Sequence, residues 1–109
     1  MSLDETTFAR IADETLESYM DIIDEAVGDQ ADIDLEGGIL TIELDDGGQY
    51  VINKHAPNRQ IWMSSPKSGA THFDYNGDDE TWRCTRSGVR LDETLAAELT
   101  ALTGVSISL

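Results

Sequence analysis

Carboxylates dominate the chemistry open to this chain, and their spacing is regular. Asp13–Glu17, Glu17–Asp21 and Asp21–Glu25 are four residues apart; Glu14–Glu17 and Asp21–Asp24 are three apart. On a helix those intervals make neighbours on one face, where like charges cost about 0.2–0.5 kcal/mol per pair. Asp29, Asp32, Asp34 and Glu36 follow at once. Oxygen-only donors suit hard cations such as Ca²⁺, Mg²⁺ and Mn²⁺, and iron held by carboxylates and water. No motif closes a tight site. In Asp74-Tyr75-Asn76-Gly77-Asp78 the glycine comes too early for a calcium loop, and no Glu-x-x-His pair supplies a di-iron bundle. The residues alone predict weak, multiple, exposed cation sites, or else a solvated face on an acidic protein.

A second group sits on strand-like runs. In Arg59–Ser64, Ile61 and Met63 share one face and Gln60 and Trp62 the other. In Gln49–Lys54, Tyr50 and Ile52 share a face opposite Asn53. The period of two thus gathers Asn53, Gln60 and Trp62 on one side of a sheet. An amphipathic aromatic beside amides and scattered cations is the composition of an interface hot spot, though such a Trp also packs on its own neighbours. Cys84, inside Trp82-Arg83-Cys84, reads as a buried small hydrophobe rather than a nucleophile. His55 and His72 read as surface residues of a mildly basic face, and the glycines form no phosphate loop.

Charge is distributed as unevenly as it is large. The chain carries −15 over 109 residues, with 22 acids against 7 bases. Before Gly37, twelve acids face Arg10 alone; from Gly47 to Phe73 the only charged side chains are Lys54, Arg59 and Lys67. Such a surface repels nucleic acid and anionic membranes and attracts cations or basic protein patches. The length fits one domain, residues 1–109, with a single core. No run approaches the ~20 apolar residues of a membrane span. The first residues carry neither an apolar signal core nor an Arg-rich transit pattern, and a single cysteine suits a reducing compartment. The expectation is a cytoplasmic domain.

The elements that position these groups are legible from periodicity. Residues 4–27 read as a helix, with Phe8, Ile11, Ala12, Leu16, Tyr19, Met20, Ile23 and Val27 on one arc and the acids opposite. Ser2 or Asp4 caps its start and Gly28 follows its end. Alternating runs follow at Asp32–Leu35, Ile39–Leu44, Gln49–Lys54, Arg59–Ser64, Ala70–Tyr75 and Glu80–Thr85, separated by turn residues. A second helix, Leu91–Leu102, places Leu91, Leu95, Leu99 and Leu102 on one stripe. Short strands on tight loops make an antiparallel meander, and terminal helices cover one of its faces. The expected fold is α+β: a two-layer sandwich with about 5–7 antiparallel strands and both helices on one face.

Residues 53–75, NKHAPNRQIWMSSPKSGATHFDY, resemble the central signature of the frataxin family. That signature is close to N-K-x-x-P-N-x-Q-I-W-L-S-S-P-x-S-G followed by an aromatic-Asp-aromatic triplet. A looser likeness covers essentially the whole chain and looks most like the bacterial CyaY type. The resemblance implies the same sandwich, with the first strand at the sheet edge beside the first helix. It implies an accessory protein of iron–sulfur cluster assembly that donates iron or regulates the assembly complex, and is not an enzyme; a weak ferroxidase or iron store is the alternative. Iron, ferrous or ferric and reversibly held, is expected on Asp21, Asp24, Glu25, Asp32 and Asp34, with Glu17 and Asp29 adjacent. Met20 stands where the bacterial pattern often has another acid. The implied partners are a cysteine desulfurase, met by the acidic ridge, and the iron–sulfur scaffold protein, met by Asn53, Gln60, Ile61 and Trp62. The family pattern further implies a monomer, with oligomers driven by iron. It places the protein in the bacterial cytoplasm, or in the mitochondrial matrix for a processed eukaryotic form.

Overall fold

Asp4 starts the first helix: its carboxylate accepts from the Thr7 N–H at 2.7 Å, and that bond holds the carboxyl below its ordinary range. The computed structural model describes residues 4–109, so the alternative cap, Ser2, lies outside the described residues. Helix α1 spans Glu5–Val27 and buries Phe8, Ala12, Leu16, Tyr19, Ile23 and Val27. Strands β1 (Ala31–Glu36), β2 (Ile39–Leu44), β3 (Gln49–His55), β4 (Gln60–Ser65), β5 (Gly69–Asn76) and β6 (Thr81–Cys84) follow, then α2 (Leu91–Thr103).

The six strands pair in chain order, each antiparallel to the next. Strand β1 is therefore an edge strand, and it packs beside α1. Leu40, Ile42, Tyr50, Ile52, Ile61, Met63 and Phe73 face the helices and are buried, with Leu91, Leu95 and Leu99 of α2 closing the same core. The opposite face of the sheet is uncovered. This is the α+β sandwich that the periodicity predicts, with six strands.

Four strand starts shift by one residue from the sequence expectation: β1 and β5 begin one residue earlier, at Ala31 and Gly69, and β4 and β6 one residue later. Arg59 (φ 51°) and Glu80 (φ 57°) adopt left-handed backbone and belong to turns, so β4 starts at Gln60 and β6 at Thr81. Non-glycine residues take that conformation at some cost, and only where the turn demands it. Here both turns must reverse the chain between adjacent strands.

Polar groups tie the layers. Trp82, buried from β6, donates its indole N–H to Thr15 of α1 at 3.1 Å. Tyr50 Oη and Ser65 Oγ both donate to Glu98 of α2, and Ser65 Oγ also accepts from the Lys67 and Ser68 N–H groups. The Ser-Ser-Pro part of the central motif thus fixes the β4–β5 turn onto α2. Burial, then the Glu98 carboxylate, pushes the Tyr50 phenol well above its ordinary range.

Candidate functional site

On α1 the acids fall on the solvent side, because the apolar face at three- and four-residue spacing is spent on the core. Glu14, Glu17, Asp21, Asp24 and Glu25 are exposed, as is Asp29 in the turn that follows. Two acids at the N-terminal end of the ridge are compensated. Asp13 meets the Lys54 ammonium at 2.9 Å, and Glu14 meets Arg10 at 3.6 Å. Among the described residues no Lys or Arg pairs with Glu17, Asp21, Asp24, Glu25 or Asp29.

Strand β1 corrects the picture of a single acidic field. Ala31, Ile33 and Leu35 pack on the core, so alternation turns Asp32, Asp34 and Glu36 to the uncovered face of the sheet, away from α1. There Asp32 stands directly opposite Glu43 of β2. The acidic surface therefore bends around the edge strand instead of running straight on from the helix. Among the described residues no three His, Cys, Asp or Glu side chains converge into a ready-made metal centre. Spread carboxylates of this kind bind hard cations singly or in pairs, with water completing the shell.

The uncovered face carries the second group. Ile39, Asn53, Trp62 and His72 stand directly opposite one another on β2, β3, β4 and β5. The Trp62 indole N–H donates to Gln60 Oε1 at 2.8 Å, and Gln60 Nε2 donates to Asp74 at 2.9 Å. Asn53, Gln60 and Trp62 thus share a face as the period of two requires. Ile61, expected among the partner-binding residues, does not: it is fully buried against the helices. Its parity is opposite to that of Trp62, so it supports the face from behind.

His55 and His72 also depart from expectation. Both are half-buried and lie flat on Trp62, His55 at 3.6 Å between ring centroids and 8° between planes, His72 at 4.1 Å and 11°. Parity along β3 puts His55 on the face of Asn53, a signal present in the sequence. The cross-strand register that brings both rings onto one indole is not. Lys54 likewise leaves the mildly basic stretch to neutralise Asp13 on the helix side. Cys84 is partly buried against the core. Burial raises its thiol, but hydrogen bonds from the Ser87 hydroxyl and the backbone of Ser87, Arg86 and Gly88 outweigh that and lower it overall.

A frataxin-like domain model matches residues 1–105. The chain belongs to the frataxin family. It is 41% identical over 111 residues to a mitochondrial frataxin of Arabidopsis thaliana, covering 98% of this chain and 59% of that longer protein. It is 40% identical over 97 residues to the iron–sulfur cluster assembly protein CyaY of Pseudomonas fluorescens, covering 87% of this chain and 84% of that one. Among solved structures, frataxin from Psychromonas ingrahamii superposes with a TM-score of 0.85 at 25% identity, over 97% of both chains. A trimeric frataxin from Saccharomyces cerevisiae, complexed with ferrous iron, superposes with a TM-score of 0.72 at 33% identity, over 95% of this chain and 89% of that one.

Proposed function

We propose that this frataxin-family protein is an iron-binding accessory protein of iron–sulfur cluster assembly, acting without catalysis. Iron is its cargo, held loosely on Glu17, Asp21, Asp24, Glu25 and Asp29 along α1 and on Asp32 and Asp34 around the edge of β1. The single observation that carries the reading is this run of exposed carboxylates, without cationic partners among the described residues, kept at a cost in repulsion by a member of a family that includes named assembly proteins. The same ridge offers a basic patch of the cysteine desulfurase an anionic surface. The Trp62 face, with Asn53 and Gln60, meets the scaffold protein. The relative solved with ferrous iron supports the choice of metal.

Exposed carboxylates without a cage bind hard cations weakly and reversibly. Adding Fe²⁺ to isotope-labelled protein should therefore broaden the signals of Asp21, Asp24, Glu25, Asp32 and Asp34 first. Broadening centred on His55, His72 or Cys84 would contradict the assignment. Pull-down of the desulfurase and scaffold from a cell extract tests the partners, and steady-state oxygen consumption with Fe²⁺ tests the absence of ferroxidase turnover.

A further inference from the structure

We propose that His55 and His72 are positioning residues that clamp Trp62 edge-on, so that the docked partner reads the rim of the indole instead of stacking on it. The inference rests on the reading of this face as the scaffold-docking surface. Strands β3 and β5 flank β4 on opposite sides, so the two imidazoles cover opposite faces of the indole ring. Both stacks are nearly parallel, at 8° and 11°. The remaining polar handle, the indole N–H, is tied to Gln60, which is itself held by Asp74. Both faces and the N–H are therefore spent within the protein, and only the carbon rim is left.

That rim has defined neighbours. Asn53 lies directly across from Trp62, and Ile39, 46% exposed, directly across from Asn53. At about 4.8 Å between strands, the row spans roughly 10 Å. An apolar rim, an amide and an exposed aliphatic group in line fit a partner segment that presents aliphatic side chains beside backbone amides. They do not fit an aromatic ring seeking a stacking partner. A ring already held in one rotamer also loses no freedom on docking, whereas a loose one must be immobilised.

The test measures scaffold binding by titration calorimetry and the mobility of the Trp62 indole N–H by ¹⁵N relaxation in the free protein. His55→Ala/His72→Ala should loosen the indole and weaken binding by about two- to twelvefold, the cost of fixing one side chain on association. His55→Phe/His72→Phe restores the stack without the imidazole nitrogens, and should recover both rigidity and affinity to within about twofold of the wild type. If the double alanine variant does not fold, each single variant carries the test with a smaller loss. Wild-type affinity in the alanine variants, or no recovery with phenylalanine, would overturn the clamp. A Trp62→Ala variant that binds as well as the wild type would instead overturn the docking reading itself.

Discussion

The Lys54 ammonium lies 2.9 Å from the Asp13 carboxylate, joining the end of β3 to the acidic side of α1. The lysine belongs to the Asn53-Lys54 start of the central motif, and its side chain passes against Gly38 of the β1–β2 turn. It marks where the acidic ridge ceases to be free. Lys54→Ala should cost only about 0.2–1 kcal/mol, because the pair is partly exposed, 25% for Lys54 and 47% for Asp13. It should also extend the Fe²⁺-induced NMR broadening to Asp13. Broadening that stops at Glu17 in the variant would show that Lys54 does not limit the ridge.

Asp21 sits at the centre of the uncompensated part of the ridge, with Glu17, Asp24 and Glu25 at three- and four-residue spacing. Asp21→Asn removes three like-charge pairs at once and should stabilise the fold by roughly 0.6–1.5 kcal/mol at low salt. Added salt should narrow the difference, since screening relieves the same repulsion in the wild type. Iron affinity should fall. A variant that melts lower than the wild type would mean that the ridge aids folding.

Ile61 and Trp62, adjacent in sequence, should respond in opposite ways. Ile61→Ala opens a cavity in the core and should cost about 2–5 kcal/mol. Trp62→Ala removes a half-buried ring from the open face and should cost less stability than Ile61→Ala while losing more scaffold affinity. Melting curves and binding isotherms for the two variants decide it.

Asp79 sets an acid limit on stability. The Thr81 hydroxyl, then the Arg83 guanidinium, hold its carboxyl below the ordinary range in the β5–β6 turn. A group with its pKa depressed on folding stabilises the protein above the unfolded value, about 3.9, and loses that contribution as pH falls through the folded value. Asp79→Asn should therefore melt lower than the wild type at pH 7, and the gap should close below about pH 4. A gap that persists into acid would assign the effect to turn geometry instead of charge.

Periodicity carried most of the architecture. The two helices, the six strands and the sharing of one sheet face by Asn53, Gln60 and Trp62 follow from spacings of three to four and of two, because a side chain's direction is fixed locally by the backbone. Arg59 and Glu80 escaped that logic: each sits at the end of an alternating run, and only the turn geometry assigns it a left-handed conformation. Ile61 shows the opposite case. Its parity in the sequence already turned it inward, against its inclusion among the partner-binding residues, and the core holds it there.

What the sequence determined by itself is therefore local: which residues form helices and strands, which side of each element is apolar, and that the acids outnumber the bases before Gly37. The tertiary structure decided the side-chain contacts between elements. Strand register brought His55 and His72 onto the two faces of Trp62, the position of β1 at the sheet edge bent the acidic surface around a corner, and the packing of α1 let Lys54 reach Asp13. These depend on pairings between residues far apart in the chain, and such pairings are fixed by how the layers pack around one core rather than by any spacing written along the sequence.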